Sequence, residues 1–199
     1  MKKYTCKPGN HDFSPPQTPR VFAVKQNIFD RVANWEFEFT ESCWFDWRLP
    51  GGTTDQDVFD QNFKLCGWCP VLQPGNLNGV MFAATTNPEI KNQLDFCFYQ
   101  NLDGKFIIRP AFSKIITEKT PWRLHVRLRR ESKKRLEMSV FVQEHGERKA
   151  KLVKSFGFDM AQDYAIYREI FLWFGGENNS EGEFGGTPSK DIVLSANRY

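Results

Sequence analysis

Hydrophobic and polar residues alternate over many short stretches of this chain. Between Asn34 and Thr40, for example, Trp35, Phe37 and Phe39 occupy every second position and polar residues fill the others. A period of two is typical of a β-strand that buries one face and exposes the other. Further strands are predicted at Val21–Lys25, Cys43–Trp47, Phe63–Trp68, Gly79–Thr85, Gln93–Gln100, Lys105–Pro110, Trp122–Arg129, Arg135–Gln143, Ile166–Phe174 and Lys190–Ser195.

Turn residues and strand spacing predict two hairpins in the middle of the chain. In the first, Asp103-Gly104 supplies the positive φ angles that a tight turn requires. The second joins Trp122–Arg129 to Arg135–Gln143 and places Leu128 opposite Leu136, so that apolar side chains of both strands share one face.

About a dozen short strands without an internal repeat predict an all-β fold, a two-sheet antiparallel β-sandwich. Only Phe158–Tyr164 has the pattern of a short helical turn. The chain has 199 residues, of which 40% are hydrophobic, and this length fits one large domain. Residues 1–19 are rich in proline and polar residues and are expected to form an extended arm, whereas residues 20–199 form the sandwich.

Three stretches in this order resemble the concanavalin A-like lectin/glucanase superfamily. They are Trp35–Trp47 with the following Asp60–Gly67, then Leu94–Tyr99, and finally Phe171–Gly176 with Asp191–Leu194. The similarity is greatest to the polysaccharide-lyase-like sandwiches of gut bacteria and their phages, and it implies a jelly roll. The Lys64-Leu65-Cys66-Gly67 element lacks the proline that lyases of this kind often carry. Members of the superfamily include enzymes, lectins and virion components, so the fold alone does not choose a function.

Charge and the N-terminal sequence restrict the partners and the compartment. The net charge is only +3, which argues against a nucleic-acid or membrane partner, although the segment from Trp122 to Arg135 carries +6. The basic N-terminus is not followed by the apolar stretch of a secretory signal, so the protein is expected to be made in the cytoplasm. Release as part of a virion is one route by which it would leave the cell.

Cysteine and histidine positions favour neither disulfides nor a metal. Five cysteines are an odd number, and those in apolar strands are expected to be reduced. Zinc is usually held by four ligands. The lone Cys66-Gly67-Trp68-Cys69 element supplies only two, and no histidine is near it in the sequence. No cofactor is therefore predicted.

Three residues of one predicted strand favour binding of an anion. Arg123, His125 and Arg127 alternate with apolar residues, so they form a row about 7 Å apart on one sheet face. Such a row suits an acidic sugar or an acidic protein surface. A plain charged surface that resists aggregation is the competing interpretation.

Exposed aromatic residues extend this candidate binding site. Trp44 and Asp46 alternate away from apolar neighbours, and Tyr99 faces outward on its strand. The predicted function is therefore a non-catalytic β-sandwich that binds carbohydrate or the protein subunits of an assembly, such as a phage structural or attachment component. An intracellular interaction module is a further alternative.

The main alternative is a polysaccharide lyase or a glycoside hydrolase acting on an acidic polysaccharide. A lyase needs a tyrosine or histidine base and a cation, for which Tyr99, His125 and nearby arginines are the right residue types. A hydrolase needs two carboxylates. The nearest acids are Glu36, Glu38 and Glu41, which lack the central aspartate of the glucanase strand, and Glu181 and Glu183, which lie in a glycine-rich loop too soft to hold a catalytic geometry.

Overall fold

The computed structural model describes residues 1–8, 10–23, 32–45, 63–72, 78–174 and 190–199. The described residues include one short 3-10 helix, Glu41–Cys43. None of their helices is long and apolar enough to cross a membrane. The strands are β1 (Lys2–Cys6), β2 (Val21–Ala23), β3 (Val32–Phe39), β4 (Phe63–Pro70), β5 (Asn78–Thr86), β6 (Gln93–Leu102), β7 (Lys105–Ile115), β8 (Arg123–Ser132), β9 (Arg135–Gln143), β10 (Lys151–Asp159), β11 (Ile166–Phe174) and β12 (Ile192–Arg198).

The strands form two six-stranded antiparallel sheets that pack face to face. Sheet A has the order β1-β12-β3-β8-β9-β10, and sheet B has the order β2-β11-β4-β5-β6-β7. The inner faces are lined by aromatic side chains: Phe82 stacks on Phe96 with ring centroids 5.8 Å apart, and Phe96 contacts Trp122, which directly precedes β8 of sheet A, at 5.9 Å. The predicted antiparallel β-sandwich of the jelly-roll kind is confirmed.

Both predicted hairpins are present, but the register of the second differs from the prediction. Asp103 and Gly104 have φ angles of 50° and 76°, as the tight turn between β6 and β7 requires. In the β8–β9 hairpin, Leu128 lies opposite Met138 and not Leu136, because the turn is at Lys133-Lys134, with a bulge between Arg130 and Ser132. A shift of two residues leaves every side chain on its predicted face.

Three predictions about local structure were wrong or incomplete. Cys43 ends the 3-10 helix instead of starting a strand, and Trp47 lies outside the described residues, as does Lys25. Phe158 belongs to strand β10, and no helix follows it as far as Tyr164. Strand β10 was missed because its first five residues are exposed and do not alternate in hydrophobicity.

The first residues of the expected N-terminal arm are part of sheet A. Strand β1 pairs with β12 along five residues, and Tyr4 is buried against the core. Further along, Gln17 and the carbonyl of Thr18 accept hydrogen bonds from Arg198 of β12. The segment is therefore fixed to the sandwich by strand pairing at its start and by a guanidinium near its end.

A buried carboxylate connects the two sheets. The side chain of Glu169, on β11 of sheet B, is inaccessible to solvent and accepts hydrogen bonds from Trp35 of β3, Arg198 of β12 and Arg20, each at 2.7 Å. Trp35 and Arg198 belong to sheet A. Burial of a charge is costly unless it is paired and hydrogen-bonded, and here both carboxylate oxygens are satisfied.

We expect Glu169→Ala to lower the free energy of unfolding by about 3 kcal/mol, because it leaves partly buried guanidinium groups and the Trp35 indole without their acceptor. Urea denaturation followed by intrinsic fluorescence measures this change. Glu144→Ala, which removes an exposed ion pair with Lys114, is the matched control and should cost less than about 1 kcal/mol. Equal losses in the two variants would contradict a central role for Glu169.

Candidate functional site

The residues predicted to form one binding site lie on opposite surfaces of the sandwich. Arg123, His125 and Arg127 project from the outer face of sheet A, because their neighbours Leu124 and Val126 are buried in the core. Tyr99, in contrast, projects from the outer face of sheet B. Trp44 lies near one end of sheet B, where its Nε1 donates a hydrogen bond to the carbonyl of Asn87 at 2.8 Å, and Asp46 lies outside the described residues.

Acidic residues of the neighbouring strand β3 engage one member of the basic row on sheet A. Glu36 lies opposite His125 and Glu38 opposite Arg123 in the β3–β8 register. The Arg123 guanidinium donates to Glu38 at 3.2 Å and to Glu36 at 3.4 Å. His125 hydrogen-bonds with Gln143 at 3.2 Å, and Arg127 has no ion-pair partner within the described ranges. The charge of Arg123 is therefore compensated within the protein, which weakens the predicted role of the row in anion binding.

Glu36 is the most buried acid of this face. Burial alone raises the pKa of its carboxyl, but hydrogen bonds from Tyr199 at 2.7 Å and Asn197 at 3.3 Å, with the charges of His125 and Arg123, hold the pKa below its ordinary value of 4.5. The carboxylate is thus a well-satisfied acceptor and not a proton donor near neutral pH.

The outer face of sheet B has a different character, which follows from the register of its strands. One row across the sheet, from β11 to β7, has large residues on the β11 side and small ones in the middle: Trp173, Lys64, Ala83, Cys97 and Pro110. The next row is Ile170, Gly67, Met81, Tyr99 and Ile108. A third row contains Arg168, Cys69, Gly79, Asn101 and Phe106.

We call these three rows the sheet B trough, because the floor is buried and the sides are accessible. Ala83 has no solvent-exposed surface, and only 9% of the surface of Lys64 is exposed to solvent, although neither side chain points into the sandwich core. On the β11 side, Trp173 and Arg168 are exposed. On the β6 side, Tyr99 is half-buried. A recessed floor with polar groups is the usual form of a ligand site.

A bulge in β4 places both Lys64 and Gly67 on the trough face. The register with β5 shifts between Lys64 and Cys66, so that Leu65 and Cys66 both enter the core and Gly67 again faces outward. At Gly67 a Cβ atom would lie 2.0 Å from the carbonyl oxygen of Val80, so only glycine fits. This geometry explains the Lys64-Leu65-Cys66-Gly67 element in physical terms.

Asp12 and Asp95 are carboxylates at the rim of the described part of the trough, and the exposed Asp12 pairs with Trp173. Asp95 of β6 accepts hydrogen bonds from Gln93 at 2.8 Å and from Asn87 at 3.2 Å. Glu181 and Glu183, considered above as candidate acids, lie outside the described residues. The described side chains that line the trough include an amine, a phenol, a guanidinium and amides.

The cysteines do not form a metal or redox site in the described ranges. Cys66 faces the core and Cys69 the outer face, so the two thiols of the Cys-x-x-Cys element point apart, and no group of three or more candidate metal ligands occurs there. All five thiols are unpaired and buried. Burial raises the pKa of Cys43 and Cys97 to about 12, so these thiols are protonated and unreactive near neutral pH.

No protein-family model and no curated protein sequence matches this chain. Among solved structures, the alginate lyase Aly36B matches with a TM-score of 0.52 and 10% identity, over 98% of this chain and 78% of the lyase. A PL-14 alginate lyase from Aplysia kurodai (TM-score 0.49, 9% identity, 98% of this chain, 80% of that one) and a xylan β-1,4-xylosidase from Bacillus halodurans C-125 (TM-score 0.46, 11% identity, 90% of this chain) are also similar. The chain spans only about 30% of the length of the xylosidase.

These findings change the functional expectation. The fold is a β-sandwich similar to that of Aly36B, and at 10% identity this similarity shows the fold alone. Aly36B, which has a similar fold, is named as an alginate lyase, so the prediction of a non-catalytic binding protein is wrong and the alternative of an enzyme is favoured. The ion pairs of Arg123 also weaken the anion-binding row on which that prediction partly depended.

The environment of Glu36 predicts a pH dependence of stability. Because its pKa is lowered in the folded state, the group stabilises the fold above about pH 4.5, and this contribution is lost as the pH falls through the folded-state value. Thermal unfolding of the wild type should therefore lose more stability between pH 6 and pH 3 than that of Glu36→Gln. Parallel pH profiles for the two proteins would exclude this role of Glu36.

Proposed function

We propose that this chain is a polysaccharide lyase that cleaves an acidic polysaccharide in the sheet B trough. The observation that carries the proposal is the placement of Lys64 and Tyr99 in adjacent rows of this face, on strands separated only by β5. Strand spacing puts their backbones about 12 Å apart, and both side chains are long enough to contact one bound sugar from two sides.

The residue types match what β-elimination of a uronate requires. Removal of the proton from C5 becomes feasible when a cation neutralises the adjacent carboxylate, a role that the Lys64 ammonium group fulfils. Tyr99, in its ionised form, takes the C5 proton and passes it to the glycosidic oxygen at C4. The C4–O bond then breaks, a C4–C5 double bond forms, and Tyr99 returns to its starting state.

Hydrolysis is less well supported by the described residues. A glycosidase needs two carboxyl groups about 5–10 Å apart on either side of the scissile bond. Glu36 and Glu38 are close to each other, but they lie on sheet A and are bound by Arg123. In the trough, Asp95 is held by two amides. The name of Aly36B, an alginate lyase with the same fold, supports an acidic polysaccharide as the substrate class.

The test is depolymerisation of alginate and polygalacturonate, followed by the far-ultraviolet absorbance of unsaturated uronate ends. We expect the wild type to release such ends, and Tyr99→Phe and Lys64→Met to lower the rate at least about 100-fold, because a general acid–base group contributes that much. Urea denaturation of both variants shows whether the fold is retained.

Arg127→Ala is the matched control. It removes an exposed cation from a strand of sheet A, away from the trough, and should leave the rate within about twofold of the wild type. Absence of unsaturated products from both substrates and from other uronate polymers would overturn the lyase proposal. If Arg127→Ala lost its activity while Lys64→Met kept it, the active site would lie on sheet A, and its assignment to the sheet B trough would be wrong.

A further inference from the structure

Trp173 is an accessible aromatic residue on the β11 side of the sheet B trough. It lies opposite Lys64 in the β11–β4 register, and 39% of its surface is exposed, whereas the preceding Leu172 and the following Phe174 are buried. An indole that keeps so much surface beside a recessed floor is available to a ligand. Large exposed aromatic side chains next to a polar site are a common means of ligand recognition.

The backbone before Trp173 is in an unusual conformation that turns this side chain outward. Leu172 has a φ angle of 50°, in the left-handed region that non-glycine residues rarely adopt. Phe171 and Leu172 consequently both pack toward the core, and the alternation restarts with Trp173 on the outer face. Such a conformation costs about 1–3 kcal/mol and is found mainly where a side chain must be aimed for function.

A histidine of the N-terminal segment fixes the orientation of the indole. The His11 ring stacks on Trp173 with an interplanar angle of 7° and ring centroids 5.4 Å apart. His11 is itself anchored, since its Nδ1–H donates to the carbonyl of Phe174 at 2.7 Å and its own carbonyl accepts from the Phe174 N–H at 2.9 Å. One face of the indole is thus supported by protein.

We propose that Trp173 is a stacking platform for a sugar residue of the bound polysaccharide, and that His11 is a positioning residue for it. The proposal rests on the lyase function assigned to the trough. A pyranose ring presents C–H groups on its faces, and an aromatic ring held in a fixed orientation binds such a face with little loss of side-chain entropy.

The distance from Tyr99 determines which sugar residue Trp173 binds. Three strand spacings, about 14 Å, separate β11 from β6, so Trp173 contacts a sugar residue other than the one that is cleaved. Trp173 therefore contributes to the affinity for long chains and leaves the chemical step unchanged. A short oligosaccharide held at Tyr99 does not reach it.

The experiment is a comparison of kcat and KM for acidic oligosaccharides of increasing length, prepared from whichever polymer the wild type cleaves. We expect Trp173→Ala to raise KM by roughly five- to tenfold for long oligosaccharides only, with kcat within about twofold. His11→Ala should cause a smaller increase of the same kind, and His11→Phe, which keeps an aromatic ring on the indole, should restore part of the affinity. Tyr199→Ala is the control, because Tyr199 is an exposed aromatic residue that follows β12 of the opposite sheet. This substitution should change neither kcat nor KM.

The outcomes separate this proposal from the lyase assignment. If the wild type cleaves and Trp173→Ala keeps the wild-type KM at every length, the platform is wrong and the lyase stands. If the wild type cleaves none of the polymers, calorimetric titration with alginate oligosaccharides tests the platform alone. Weaker binding by Trp173→Ala than by the wild type would then support a platform without catalysis. Absence of binding to the wild type would overturn both proposals. An equal rise of KM for short and long oligosaccharides would indicate a merely structural role.

Discussion

The buried Glu169 carboxylate is the interaction on which the arrangement of this sandwich depends most. It receives hydrogen bonds from Trp35 and Arg198 of sheet A while its own strand, β11, belongs to sheet B. A charge with no exposed surface requires all of these partners, because a missing one would leave desolvated groups unpaired. The position of β11 relative to the core is fixed in this way, and β11 is also the strand that carries Trp173 and Arg168 to the trough.

Polar residues have different roles on the two outer faces of the sandwich. On sheet A, most of the charged groups satisfy one another across neighbouring strands, as Arg123 does with Glu36 and Glu38. On sheet B, small residues at the centre and large ones on both sides leave Lys64 and Tyr99 on a recessed surface. The first arrangement is typical of a stable surface, and the second is typical of a site that binds and transforms a ligand.

The strands and the two-sheet architecture could be predicted from the sequence, whereas the site could be predicted only in part: Tyr99 was a candidate, but Lys64 and Trp173 were not. Alternation in stretches such as Trp35–Phe39 and the Asp103-Gly104 turn are local signals, and they depend on neither sheet order nor long-range pairing. The neutralisation of Arg123 follows from the pairing of β3 with β8, which are separated by more than 80 residues, and no local pattern shows it. Lys64 lies between the buried Phe63 and Leu65, so local alternation places it on the outer face, but its proximity to Trp173 and Tyr99 follows from the strand order of sheet B, which no local pattern shows.

The central claim is that the trough cleaves a uronate polymer by elimination and not by adding water. Mass spectrometry of the products formed from alginate or polygalacturonate in ¹⁸O-labelled water tests it directly. The account predicts oligosaccharides with an unsaturated end that are lighter by one water than hydrolysis products and contain no ¹⁸O from the solvent. Saturated products with one ¹⁸O atom at the new reducing end would contradict it.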